Sequence, residues 1–169
     1  KGGEQRPDSV NNGLLLSDSE YVFIHDGARP FIDSSLIDSS IEAAEKYGAC
    51  TLGVKTKDTI KIVDENNFGK ETPRRDYLYN IQTPQTFNVG VIKKAYAKMF
   101  ENENHNITDD SMLVEQYGGV KTKVIEGSYY NIKITTPEDI EFAKILVKNK
   151  IKKNWKKTLK VVDKTDLFC

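Results

Sequence analysis

Cysteine is almost absent from this chain of 169 residues: Cys50 and Cys169 are the only two, too few for a disulfide framework. That scarcity fits a reducing cytoplasm. Cys50 stands in an apolar run and reads as a small buried residue. A charge surplus is absent as well. The 25 Lys and Arg are matched by 25 Asp and Glu, so no field of one sign is available to make nucleic acid the main partner. No apolar run approaches the roughly 18 residues that span a bilayer. The opening Lys1-Gly2-Gly3-Glu4-Gln5-Arg6 has no apolar signal core, so a membrane is not an expected partner. There is no internal repeat, no zinc-ligand spacing, no Ser/His/Asp set and no complete glycine-rich phosphate loop. An initiator Met is also missing, and Lys1-Gly2-Gly3 reads as the end of a strand entering a loop. The sequence therefore reads as a fragment of a longer chain.

What is present is an alternation of strands and helices in a chain long enough for one domain with a real core. Tyr21 to His25 is a short apolar run ending at Asp26-Gly27, as a buried parallel strand would. Ser34 to Tyr47 has Leu36, Ile37, Ile41 and Ala44 on one helical face, and Gly48 ends it. Ala49 to Val54 predicts a strand, and Thr59 to Val63 a half-exposed one. Asp64 to Gly69 is turn-rich. Leu78 to Phe87 is extended around Pro84, and Asn88 caps a helix to about Phe100. A polar loop from Glu101 to Asn106 and a short helix from Ser111 to Tyr117 follow. Val120 to Ile125 and Tyr129 to Ile134 predict strands joined at Glu126-Gly127-Ser128. Thr136-Pro137-Glu138-Asp139 is a helix start with a cap, an early Pro and acids in the first turn; that helix runs to about Lys148. The pattern predicts an α/β fold with a mostly parallel sheet covered on both faces. Val54 to Phe87 fits poorly, being polar, extended and without helical period, and is expected to project from the domain.

Chemistry concentrates at strand ends, outside which open parallel sheets bind their ligands. Asp26 follows a buried strand and can hold a divalent metal between phosphates. Arg29 can fork onto a phosphate, with Pro30 stiffening the turn between them. The same two residues also read as a surface ion pair. Thr108-Asp109-Asp110 offers backbone N–H groups and a hydroxyl to an anion, or is an ordinary cap. Lys133 lies near a strand end before a helix start, or is simply solvated. Arg74-Arg75 belongs to the projecting segment and reads equally as a charged loop. Taken jointly, one acid, several cations and several hydroxyls at turns suit phosphoryl or nucleotidyl transfer, which depends on positioning and charge neutralisation more than on a protein nucleophile.

Gly2 to Val10, His25 to Phe31, Lys57 to Lys61, Gln82 to Gln85, Ile107 to Asp110 and Asn131 to Asp139 together resemble the 2-C-methyl-D-erythritol 4-phosphate cytidylyltransferase family, in its order and at about its spacing. The resemblance covers about residues 1 to 147. It implies a Rossmann-like nucleotide-diphospho-sugar transferase fold over 1–149, an arm at about 56–82, and a separate Lys-rich tail at 150–169. It implies transfer of a cytidylyl group from CTP to methylerythritol 4-phosphate, with Mg2+ bridging the triphosphate. Asp26 then matches an acid near metal and substrate, Arg29 a substrate-site cation, and Lys133 a cation at the reacting phosphates. Gly3, Ser9 and Gly27 match positions around the cytidine. Thr59, Arg75, Thr83 and Thr108 match contacts to the substrate phosphate. The arm would reach across a homodimer, so that Thr59 and Arg75 serve the partner's site.

One departure stands out. Family members begin with a strand and a glycine-rich loop carrying an Arg and a Lys around the triphosphate, and nothing of that kind appears here. The resemblance therefore leads to the expectation of little activity and limited stability for these 169 residues alone. Two alternatives remain open: a ribitol-5-phosphate cytidylyltransferase, and a non-catalytic dimerisation module. The tail, with Ile151, Trp155 and Leu159 at helical spacing, reads as an extended amphipathic helix, a basic membrane-surface helix or a partner-binding segment.

Overall fold

The structure is a computed structural model describing residues 2–101 and 107–149. Lys1, most of the polar loop expected over 101–106, and the tail with Ile151, Trp155 and Leu159 lie outside the described residues.

The main sheet has four strands in the order β1 (Tyr21–Ile24), β5 (Tyr79–Asn88), β2 (Ala49–Lys55), β6 (Lys123–Glu126). β2 and β6 pair in parallel, while β5 pairs antiparallel with both β1 and β2. Thus β1, β2 and β6 run one way and β5 runs against them. The reason lies in the connection. Between β2 and β5 there is no crossover helix, so the chain returns beside the strand it left, which forces the antiparallel sense. The excursion carries a two-stranded hairpin, β3 (Ile62–Val63) and β4 (Gly69–Glu71), paired only with itself and exposed throughout. This is the helix-free segment expected to project.

Helices cover both faces. α2 (Ser34–Tyr47) is capped by Asp33, whose carboxylate accepts from the Ser35 amide, and ends at Gly48 in the left-handed region (φ 80°). α3 (Val89–Phe100) starts at Asn88, whose side chain accepts from Gly90 and Val91. Successive β2 residues point to opposite faces. Ala49 accordingly joins a core with Leu14, Phe87, Ile92, Tyr96 and Met99, while Cys50 joins Ala43 and Ala44 beneath α2. β2 is buried without a break from Ala49 to Val54, Thr51 included, as a strand covered on both faces is. Each large core side chain contributes roughly 1.5–3 kcal/mol. The Cys50 thiol is buried as expected; burial pushes its pKa up to about 11, and it donates to the Ser40 carbonyl.

Four sequence expectations need correction. Tyr21 to His25, expected as a buried parallel strand, is the half-exposed β1, which among the described residues pairs only with β5 and antiparallel, because β5 lies between it and the co-directional β2. A helix, α1 (Arg6–Leu15), occupies a stretch assigned none. Its start is written in polar residues: the Gln5 amide donates to Asp8 Oδ2 and Pro7 sits in the first turn. The helix expected over Ser111 to Tyr117 is split into α4 (Asp110–Leu113) and a wide turn over Val114–Gly118. Tyr129 to Ile134 is not a strand. The Asn131 amide donates to the Ser128 carbonyl, so the chain turns there, and Ile134 bonds back to the Ala28 carbonyl of a loop. A last helix, α5, spans 137–149 as expected. Among the described residues no helix is long and apolar enough to cross a membrane.

Candidate active site

A cleft of about 210 Å³ opens at the carboxyl end of β1, floored by the middle of β5. Asp26, Arg29, Thr83, Thr108 and Lys133, expected from the sequence to act together, all line it, with Arg6, Gln85 and Asp109. Asp26 is the meeting point. Its Oδ2 lies 3.1 Å from Lys133 Nζ and 3.6 Å from Arg29 Nε. Asp26 and Arg29 are 18% and 12% exposed, Lys133 48%. Burial would raise the Asp26 pKa, but Lys133, Arg29 and Arg6 together outweigh it and hold the carboxyl below its ordinary value. The cleft therefore holds an ionised acid among three cations. Such a set can bind a phosphate and, at Asp26, share a divalent cation with it.

Each group is positioned from behind. The buried Asn131 donates Nδ2–H to the Thr83 carbonyl at 2.8 Å, and its own carbonyl accepts from Arg29 Nη1 at 2.9 Å. It thereby ties β5, the Asp26–Arg29 turn and the segment bearing Lys133. Thr83 and His25 form a second tie. His25 Nε2 faces the Arg29 carbonyl at 2.9 Å and Nδ1 faces Thr83 Oγ1 at 3.1 Å. A carbonyl cannot donate, so Nε2 carries a proton. In the neutral ring Nδ1 then accepts the Thr83 hydroxyl hydrogen, while Thr83 Oγ1 accepts from the Asp26 amide. Thr83 thus lines the cleft with its one donor already committed. Buried Gln85 fixes the far wall, donating to Asp109 Oδ2 and accepting from the Ser111 amide.

The remaining expected residues fall elsewhere. Ser9 accepts from the Gly3 amide at 2.9 Å in the turn that opens α1, and a Cβ on Gly3 would collide with Asp8. Gly27 is exposed in the Asp26–Arg29 turn. Thr59 and Arg75 lie in the arm, outside the cleft lining, with Arg75 Nη1 donating to the Lys57 carbonyl. Sequence reasoning gave no role to Arg6 or to the Gln85–Asp109 clamp. The signals were available in α1's capping pattern and in a Gln facing inward beside Pro84. A larger cavity, about 780 Å³, lies at the arm's root, lined by Tyr79, Tyr129, Tyr130 and Phe142 with Lys55 and Lys57. The smaller cleft is the candidate site because the ionised groups converge there.

A sequence profile of 2-C-methyl-D-erythritol 4-phosphate cytidylyltransferase matches residues 1–149. The chain belongs to this family. Its 2-C-methyl-D-erythritol 4-phosphate cytidylyltransferase relative from Clostridium botulinum (strain Eklund 17B / Type B) is 48% identical over 147 residues, covering 86% of this chain and 65% of the relative. That from Caldanaerobacter subterraneus subsp. tengcongensis is 51% identical over 150 residues, covering 88% and 65%. The chain thus spans about 65% of the length of these curated relatives. The crystal structure of 4-diphosphocytidyl-2C-methyl-D-erythritol synthase from Anaerococcus prevotii superposes with a TM-score of 0.81 at 44% identity, covering 87% of this chain and 68% of that one. The cytidylyltransferase family's Rossmann-like fold is thus shared here, with the antiparallel β5 inside an otherwise co-directional sheet.

Proposed function

We propose that the protein acts in cytidylyl transfer from CTP to 2-C-methyl-D-erythritol 4-phosphate, giving the CDP-alcohol and pyrophosphate for isoprenoid synthesis in the cytoplasm. The observation that carries this reading is the convergence of Arg29 and Lys133 on one oxygen of Asp26 in a cleft at the end of β1, in a chain of this family.

The acceptor's phosphate oxygen attacks the α-phosphorus of CTP; the new P–O bond forms as the α–β P–O bond breaks and pyrophosphate leaves. Negative charge gathers on the phosphates along this path, and Arg29 and Lys133 offset it, Arg29 through a planar fork and Lys133 as a mobile point charge. Asp26 keeps both cations in place before substrate arrives. Among the described residues no three His, Cys, Asp or Glu side chains form a metal cluster. One carboxylate with phosphate oxygens and water is nevertheless a usual way for Mg2+ to bind, so Asp26 fits a metal carried in by the triphosphate. Such an ion would supply charge neutralisation at the phosphates. Gly3, Ser9 and Gly27 are assigned to the cytidine side, and Thr108 to the acceptor phosphate. Thr83 is assigned there as well, with the limit that its donor is already committed to His25. Thr59 and Arg75 act from the arm of a second copy in a homodimer. Residues 1–149 form this unit and 150–169 a separate tail.

The test is CTP-dependent pyrophosphate release with methylerythritol 4-phosphate and, separately, ribitol 5-phosphate. It is run on the protein and on its Lys133→Gln variant. The expected result is turnover of the first substrate, strongly reduced by Lys133→Gln. A preference for ribitol 5-phosphate, or a Lys133→Gln variant as fast as its parent, would overturn the assignment.

A further inference from the structure

Arg6 sits in the first turn of α1 and forms part of the cleft wall, yet none of the roles above uses it. Its guanidinium Nη2 donates to Asp110 Oδ2 at 2.5 Å. Asp110 is 1% exposed, and its other oxygen accepts the Tyr96 hydroxyl, also at 2.5 Å, from a ring in the core. A structural staple between α1 and α4 needs only that contact. The chain supplies more: a side chain still 42% exposed, on the same cleft as Thr108 and Lys133, with four further N–H donors in a rigid plane. Arg6 also lies within the field of Asp26, across the cleft. A buried carboxylate anchored in the core fixes one edge of a guanidinium, which leaves the opposite edge pre-aimed.

We propose that Arg6 is a substrate-contacting cation that binds the acceptor's phosphomonoester from the Thr108 wall, and that Asp110 and Tyr96 are positioning residues that hold it there. The assignment to the phosphomonoester follows the wall: the Thr108 hydroxyl already donates to Met112 Sδ and the Asp109 carboxylate offers only acceptors, so the charged donor on that side is Arg6. The proposal rests on the cytidylyl-transfer reading above and deepens it.

The experiment is titration calorimetry on the protein, with methylerythritol 4-phosphate and CTP as separate probes, beside a thermal melt. Losing one charge-assisted contact predicts that Arg6→Gln weakens the phosphomonoester roughly 10- to 100-fold, with CTP much less affected. Arg6→Lys keeps the charge and a partner for Asp110, so it should fold like the parent and still bind several-fold more weakly. Tyr96→Phe removes a bond that steadies the same carboxylate, so it should weaken the phosphomonoester less than Arg6→Gln does and leave CTP binding near wild type. A purely structural Arg6 gives the contrary pattern: lower melting temperatures with unchanged phosphomonoester affinity in both Arg6 variants. That pattern, or a loss confined to CTP, overturns the proposal while Lys133→Gln still loses activity and the wider reading stands. If wild type binds no methylerythritol 4-phosphate at all, both fall.

Discussion

Replacing Asn131 by Ala tests whether one buried amide holds the cleft together. Asn131 is fully buried and donates to the Thr83 carbonyl at 2.8 Å. Without it that carbonyl is stranded next to Pro84 in a dry site, a loss of about 1–3 kcal/mol. A small cavity adds about 1 kcal/mol. One term acts the other way: among the described residues Asn131 Oδ1 has no hydrogen-bond partner, so the truncation also removes an unpaired acceptor. The balance is about 2 kcal/mol, which in a protein of this size lowers the melting temperature by roughly 4–8 °C. The consequence for function is larger than for stability. Arg29 is held by the Asn131 carbonyl and Lys133 lies two residues on, so a relaxed turn moves both cations off Asp26. A displacement of about 1 Å at a reacting centre costs about a hundredfold in rate. The assay pairs calorimetric melting with pyrophosphate release. A variant that melts within a degree of wild type and turns over at full rate refutes the claim that Asn131 organises this site.

Three further outcomes are expected. With Lys133→Gln, the Asp26 carboxyl loses its nearest cation and its pKa rises, which a carbon-detected NMR titration reads directly. In the wild type that pKa is depressed, so Asp26 contributes stability above its unfolded pKa, and the contribution disappears as pH falls through the lower folded value. The variant should therefore begin acid unfolding at a higher pH than wild type; identical acid limbs would contradict the ion-pair account. Asn88→Ala removes the cap of α3 and should cost about 1 kcal/mol in denaturant melts, with no change in cleft chemistry; a neutral effect would show that the helix start is held by packing alone. Mixing Asp26→Asn protomers with Arg75→Gln protomers should restore activity in about a quarter of the sites if the arm works across a dimer, and in none if it serves its own chain.

Much of the scaffold is written locally along the chain. Local signals sufficed where a single physical cause acts over a few residues. Asp33 and Gly48 bound α2, Asn88 starts α3, and Thr136-Pro137 opens α5, because capping is a matter of nearby donors and acceptors. Ala49 to Val54 was legible as a strand, and the polar helix-free stretch after it as an excursion from the sheet. Asp26, Arg29, Thr108 and Lys133 were legible as candidates because each stands at a turn beside a regular element.

How these pieces act on one another depends on long-range packing. The direction of β5 follows from the arm returning the chain next to β2, a long-range event without a local signature. Tyr129 to Ile134 has the composition of a strand, but the bond from the Asn131 amide to Ser128 turns it, and a buried Asn tied to Thr83 and Arg29 takes precedence over β-propensity. Arg6 reads in sequence as one cation in a helical start; that it meets a carboxylate 104 residues away depends on α1 and α4 packing on the same core. Thr83 reads as a free hydroxyl, and only the neighbouring imidazole shows where its hydrogen goes. Spacing along the chain sets which side chains are available, whereas the field at Asp26 is a sum over groups that only folding brings within a few ångströms.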